Sequence, residues 1–233
     1  MRVKSFESFL NEEEEKTYSF EELSPEAKKK AIQNHYDINI NYDGWSDGVI
    51  EGFKEDMAEI GIEDPEVQFS GFYSQGDGAS FTSEDIDTRK LFNAVGIESN
   101  EFLDMSTEDE RRKGENKEFY DLLDTLEDVG HLDRIRIKPE ELRVTIERIG
   151  GSRYYHENSV RANVEIWDEP DGWESPPDFE SELSDEVTDF IRGICRKLYR
   201  DLEKDYEYLT SEEAVAETLI DNDYKFDEKG NIA

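Results

Sequence analysis

The sequence predicts an α+β fold: an antiparallel sheet of about four strands in two hairpins with helices packed on it, including one long C-terminal helix. Three observations carry this expectation. Apolar residues recur at helical spacing before residue 60 and again after residue 184, the period drops to two in two separate stretches, and a glycine-bearing turn divides each of those stretches. Helices before, between and after two hairpins define the α+β class. Residues 17–233 read as a single domain with an acidic helical insertion around 83–132 and an acidic linker at 168–177, and residues 1–16 as a detachable segment.

Taken in order, Ser19-Phe-Glu-Glu22 and Ser24-Pro25-Glu26 are helix starts. A hydroxyl caps an orphan backbone N–H in both, Glu22 answers it in the first, and Pro25 needs no N–H at the first helical position in the second. A helix of about fifteen residues follows, with Ala27, Ala31, Ile32 and Tyr36 on one face. A second helix, roughly Tyr42 to Ile60, aligns Trp45, Val49, Phe53, Met57 and Ile60, with Gly61 as its stop, and the two read as a helical hairpin. Val67, Phe69, Gly71 and Tyr73 then alternate with their neighbours, and a tight Gly-rich turn leads into Ala79–Thr82.

From Ser83 to about Leu132 the chain reads as helical and charged, with Thr107-Glu-Asp-Glu110 as a further capping box and residues 111–117 as a loop. Glu141 to Ile149 alternates again, Gly150-Gly151-Ser152 turns, and Val160 to Trp167 returns. Pro170, Pro176 and Pro177 bar a ladder from the stretch that follows, which is why it reads as a linker. The long helix, from about Ser184 to Leu209, carries Val187, Phe190, Ile191, Ile194, Leu198, Leu202, Tyr206 and Leu209 on one stripe. Ala214–Ile220 is a short helix and Tyr224–Ile232 a terminal hairpin about Glu228-Lys-Gly-Asn231.

Charge separates this chain from ordinary small domains. It has 61 Asp and Glu against 27 Lys and Arg, a formal net charge of -34 over 233 residues. Solubility asks for a net charge of roughly 2 to 8 in magnitude, and excess like charge works against the compact state. Three physical roles fit: imitation of nucleic acid, attraction of basic partners or cations, or adaptation to a salty cytoplasm. Direct nucleic-acid binding through a basic surface is excluded, because it needs a cationic stripe. With 13 Phe, 11 Tyr and 3 Trp the chain has the means to build a core despite a hydrophobic fraction of 35%. Cys195 is the only cysteine, so an internal disulfide and a Cys-rich zinc site are both impossible. No apolar run approaches a membrane span, and no secretory signal is read.

In residues 1–16, Val3, Phe6, Phe9 and Leu10 form one apolar helical face ahead of Glu12-Glu-Glu-Glu15. Two readings stand: an N-terminal helix docked on the body, or a targeting segment. Met1-Arg-Val-Lys-Ser-Phe-Glu-Ser-Phe-Leu-Asn-Glu12 resembles the capsid-targeting leaders of internal head proteins in large contractile-tailed phages, with Leu10-Asn11-Glu12 matching the processing site. That resemblance implies a protein packaged in the phage head, trimmed after Glu12 and injected into the host bacterial cytoplasm.

Phe69-Ser-Gly-Phe-Tyr-Ser-Gln-Gly-Asp-Gly-Ala-Ser-Phe81 resembles a family of phage and prophage proteins often labelled antitoxins of toxin-antitoxin stability systems. The likeness extends to Tyr18-Ser-Phe-Glu-Glu-Leu-Ser-Pro-Glu-Ala27, to Arg153-Tyr-Tyr-His156 and to Tyr206-Glu-Tyr-Leu-Thr-Ser-Glu-Glu-Ala-Val215. The chain departs from the family at Tyr42-Asp-Gly-Trp-Ser46, where relatives tend to carry paired Trp, and in the acidic 83–132 region. The resemblance implies binding to another protein.

Five residues are candidates for a binding site: Tyr73, Gln75 and Asp77 in the Gly-rich turn, and Tyr155 and His156 before the return strand, next to Tyr154. Gln75 and Asp77 offer an amide and a carboxylate side by side, and glycines let a ligand approach the backbone; the same residues also suit a plain turn. An imidazole beside a carboxylate does acid-base work near neutral pH, while an exposed turn histidine does none. Glu84-Asp85-Ile-Asp87 and Glu165-Ile-Trp-Asp168-Glu169 lack the ligand spacing and central glycine of a calcium loop. No metal, cofactor or catalytic residue is expected, and His35, His131 and Cys195 read as structural.

Three functions follow. The first is a phage-encoded acidic protein that binds and inhibits a host defence or nucleic-acid-binding protein, itself basic, with carboxylates in place of DNA phosphates. The second is an antitoxin-like protein that occludes one toxin through a partly apolar interface. The third is an enzyme using the Gly-rich loop and His156.

Overall fold

A computed structural model describes residues 16–95, 142–150, 154–167 and 179–233. The leader-like segment with Leu10 and Glu12, the insertion beyond residue 95 with His131, and the linker 168–177 lie outside the described residues. The elements run β1 (Tyr18–Ser19), α1 (Pro25–Asn34), α2 (Asp47–Glu59), β2 (Glu66–Phe69), β3 (Ala79–Thr82), α3 (Thr88–Val95), β4 (Leu142–Arg148), β5 (Val160–Ile166), α4 (Phe179–Leu209), α5 (Glu212–Asp221) and β6 (Lys225–Phe226). This is an α+β protein, with three two-stranded antiparallel ladders among the described residues and a long C-terminal helix. The described residues fall into two compact units, 16–46 with 204–233, and 47–203. Helices α1 and α2 therefore belong to different units.

In the first unit, Ser24 caps α1 by accepting the N–H of Ala27 at 3.2 Å, and Ala27 and Ala31 are buried. The helix ends at Asn34, short of the expected length, and Tyr36 is 54% exposed. Successive short turns replace the helix there, with Ile38 N–H on the carbonyl of His35 and Ile40 N–H on that of Asp37. Leaving the helix frees Asn39 for long-range work: its amide donates to the Leu209 carbonyl at 2.9 Å, an orphan acceptor at the end of α4, and accepts from the Thr218 hydroxyl at 2.7 Å. Strand β1 pairs with β6, Tyr18 opposite Phe226, and Phe226 also bridges Ile232, so the terminal hairpin gains a strand that periodicity did not reveal. Phe20 and Phe226 meet edge to face at 6.1 Å within a core of Leu23, Ala31, Val215 and Leu219. Gly230, at φ +79°, is required by its neighbour, since a Cβ there would overlap the Ala27 carbonyl.

In the second unit α2 begins at Asp47, later than expected, and buries Phe53 and Met57. Gly61, at φ +85°, closes it: Gly61 N–H reaches the Ala58 carbonyl and Ile62 N–H the Met57 carbonyl, the double bond of a left-handed helix stop. Ladders β2–β3 (Val67 opposite Phe81) and β4–β5 (Val144 opposite Val164) are joined at one reciprocal pair, with Ser83 and Ile146 exchanging N–H to carbonyl bonds of 3.0 and 2.8 Å. Leu142, Val144, Ile146, Val160, Ala162 and Val164 face the core together with Phe81, Ile191 and Leu198. Phe53 meets Phe81 at 5.3 Å.

Helix α4 starts at Phe179 and covers the outer edge of β5 with a polar ladder. Ile166, Val164 and Ala162 donate their N–H groups to Glu180 Oε1 (2.8 Å), Ser184 Oγ (2.9 Å) and Thr188 Oγ1 (2.9 Å). The match is geometric: four helical residues rise about 6 Å and two strand residues about 6.7 Å, so one helical turn answers every second residue of the strand. Ser184 and Thr188 pass their own protons to the carbonyls of Glu180 and Ser184, both at 2.6 Å, which leaves their oxygens free to accept. An edge strand is thereby closed to further pairing.

Candidate functional site

Register brings the two halves of the candidate site to one end of the second unit. Counting antiparallel from the Ser83–Ile146 pair sets the Ala79 end of β3 beside the Arg148 end of β4, where β5 begins. Loop 70–78 and residues 154–159 meet there. The loop is longer than the expected tight turn, because β2 stops at Phe69. Ser70 N–H closes its base on the Gly78 carbonyl at 3.0 Å.

Asp77 holds the loop through one carboxylate oxygen. Its Oδ2 accepts the N–H groups of Tyr73 at 3.0 Å and Ser74 at 2.7 Å. Gly76 sits at φ +96° with the Tyr154 ring over it, and Gly78 lies so close to His156 that a Cβ would overlap the His156 Cα and Cβ. His156 is likewise committed: Nδ1 accepts Asn158 N–H at 3.1 Å, and its carbonyl accepts Ser159 N–H at 2.8 Å and the Ser159 hydroxyl at 2.6 Å. Asp77 and His156 thus brace backbone, each on its own segment, and make no acid-base pair with each other.

Around this brace lies a run of aromatic rings. Phe72 stacks on Phe69 at 6.2 Å and meets Tyr199 of α4 at 5.5 Å, while the Tyr199 hydroxyl donates to the Gly71 carbonyl at 3.3 Å. Burial raises the Tyr199 pKa, and the negative field of Glu203 and Asp77, with Tyr73 beside them, raises it further. Tyr155 is half-buried under the Arg148 guanidinium, 4.9 Å from its ring centroid, and Arg148 also bonds the Gln68 side-chain oxygen. Tyr73 is 74% exposed and Tyr154 49%, with Gln75 exposed at the tip.

The structure therefore brings Tyr73, Gln75, Asp77, Tyr155 and His156 to one surface but divides their roles: Asp77 and His156 build it, Tyr155 supports Arg148, and Tyr73 and Gln75 present it. Sequence reading missed the weight of Tyr154 and the part of Tyr199, which is distant in sequence and carried no signal beyond its place on α4. Cys195 is buried, and burial pushes its thiol up to about 12. Among the described residues no group of three or more His, Cys, Asp or Glu side chains is placed to hold a metal ion, and no helix is long and apolar enough to cross a membrane.

No curated protein and no solved structure matches the chain. Residues 45–212 match a family described as a domain of unknown function, DUF8835, and that span includes the braced loop, both hairpins and α4 through Leu209. The chain belongs to this family, DUF8835.

Proposed function

We propose that this is a phage-encoded acidic protein that binds and inhibits a basic, nucleic-acid-binding protein of the host bacterium, its carboxylates standing in for the phosphates of DNA. One observation carries the reading. With 61 acidic and 27 basic side chains, the net charge of -34 means that 34 carboxylates lack a cation even if every Lys and Arg takes one partner. Ion pairs such as Lys197 with Asp201 at 2.9 Å and Lys90 with Glu63 at 3.5 Å use up cations without altering that excess.

The placement of the charge adds support. Asp47, Glu51, Glu55 and Glu59 are all exposed and recur every fourth residue along α2, a strip of about 18 Å at 1.5 Å per residue. Like charges at that spacing cost a helix roughly 0.2–0.5 kcal/mol per pair, so local stability does not account for them. At about 6 Å per charge the strip is sparser than duplex DNA, which carries one charge per about 1.7 Å of axis, so it supplies only part of a phosphate-like ridge and the remaining density must come from other carboxylates.

The test is capture from bacterial lysate on the tagged intact chain, followed by elution with salt and, separately, with short duplex DNA. A basic protein released by both supports the reading. A single partner that resists salt and ignores the duplex overturns mimicry in favour of an antitoxin-like interface, because screening acts over about 10 Å at 0.1 M salt and leaves a dry apolar contact intact.

A further inference from the structure

We propose that the niche between the start of β5 and α4 is a binding site for a small zwitterion of the amino-acid class, its carboxylate on Arg161 and Arg192 and its ammonium group on Asp185. The site is separate from the acidic-surface reading above and does not depend on it. The cavity measures about 420 Å³, within the range of small-molecule sites, and is lined by Ile149, Arg161, Asp185, Thr188, Asp189 and Arg192. It lies where the polar ladder on β5 runs out. One helical turn past Thr188 comes Arg192, and two strand residues before Ala162 comes Val160, whose N–H is taken by the Glu157 carbonyl. The strand edge asks for no acceptor there, and α4 supplies donors instead.

Those donors are unspent. Arg192 Nε is buried with no hydrogen-bond partner among the described residues, and the rest of its guanidinium has only Asp189, at 3.5 Å. Arg161 and Asp185 are exposed and enter no hydrogen bond or ion pair among the described residues. An N–H buried without an acceptor is a cost that an incoming oxygen removes, and a guanidinium fork matches the two oxygens of a carboxylate. Thr188 only shapes the wall, since its hydroxyl is committed to Ala162 and Ser184.

Charge balance selects the rest of the ligand. Two guanidiniums and two carboxylates cancel within the niche, while the whole chain carries -34. A free phosphate or carboxylate ion approaches against that field, and a bare cation meets two arginines. A zwitterion carries no net charge into the field and finds a partner for each end. Ile149, 41% exposed, adds an apolar wall and favours an apolar side chain on the ligand.

Titration of L-leucine onto the intact chain, followed by NMR at the Ile149 methyls and the Arg192 Nε–H, tests this. Both signals are expected to shift and saturate with a Kd of roughly 1 mM or tighter. Isocaproate, which lacks the amine, and isopentylamine, which lacks the carboxylate, should each bind about tenfold more weakly or worse, and Arg161→Gln and Asp185→Asn should each weaken leucine by about tenfold. Both residues are exposed, so unchanged thermal midpoints in the variants separate lost recognition from lost fold. Isocaproate binding as well as leucine, or displacement of leucine by inorganic phosphate, overturns the zwitterion in favour of a plain anion site. Silence of the two reporter signals, or full leucine affinity in either variant, overturns the site itself.

Discussion

The hydroxyl of Thr188, in α4, accepts the N–H of Ala162, in β5, at 2.9 Å, and both residues are buried. The bond is one rung of the Glu180, Ser184, Thr188 ladder that closes the sheet edge. Thr188→Val keeps the shape and removes the acceptor, leaving a buried amide with no partner. The expected loss is about 1–3 kcal/mol, read as a lower urea midpoint. Faster hydrogen exchange at the Ala162 amide would locate it.

Gly78 and His156 are in contact through backbone, with no room for a methyl group between them. Gly78→Ala must push loop 70–78 away from residues 154–156, at about 1–3 kcal/mol of overpacking. Chemical denaturation measures the cost. His156→Ala, which removes the Nδ1 cap on Asn158 but adds no bulk, should cost less.

Glu186 has one carboxylate oxygen buried with no hydrogen-bond partner, and burial, aided by the Glu182 charge, raises its pKa from 4.5 to about 7. The native state therefore holds this proton more tightly than the unfolded chain. Its contribution to stability is full below pH 4.5 and is lost as pH rises through about 7. Glu186→Gln should be near neutral at pH 4 and stabilising by roughly 1 kcal/mol at pH 8, after allowing for solvent screening of a part-exposed group. Paired unfolding curves across that range check the crossover, and a constant difference would contradict it.

Cys195 combines zero exposure with a thiol pushed up to about 12, so almost no thiolate exists at pH 8 in the native state. An alkylating reagent should leave the folded protein unlabelled and modify it fully in denaturant. Rapid labelling under native conditions would mean that the α4 face opens.

Much of the secondary structure was legible because its signals are local. Ser24-Pro25 marks a helix start whose cap forms, and Gly61 marks a stop that the structure closes with two backbone bonds. Alternation through Leu142, Val144 and Ile146 marks a strand whose inward face is buried. Errors arose where a distant partner decided the outcome. Apolar spacing alone would continue α1 through Tyr36, but Asn39 bonds Leu209 and Thr218 instead, and the helix stops. Gly71 and Tyr73 read as a continuing strand, yet Asp77 gathers the Tyr73 and Ser74 amides into a loop.

The candidate site was legible in membership and not in role. Residue types named Tyr73, Gln75, Asp77, Tyr155 and His156, because glycine, aromatic and titratable residues cluster around two turns. Their division into brace and presented surface depends on which backbone amides Asp77 and His156 reach, and no one-dimensional pattern contains that.

The amino-acid order by itself determined the α+β class, the helix caps, the two hairpins and the charge excess that motivates a basic partner, since all of these follow from local periodicity, backbone chemistry and counting. Only the tertiary structure decided that the hairpins join at Ser83 and Ile146, that α4 closes a strand edge with hydroxyls, and that Tyr73 and Tyr154 share one end of a unit. Those relationships are set by register between segments far apart in sequence, where a shift of one residue turns every side chain to the opposite face.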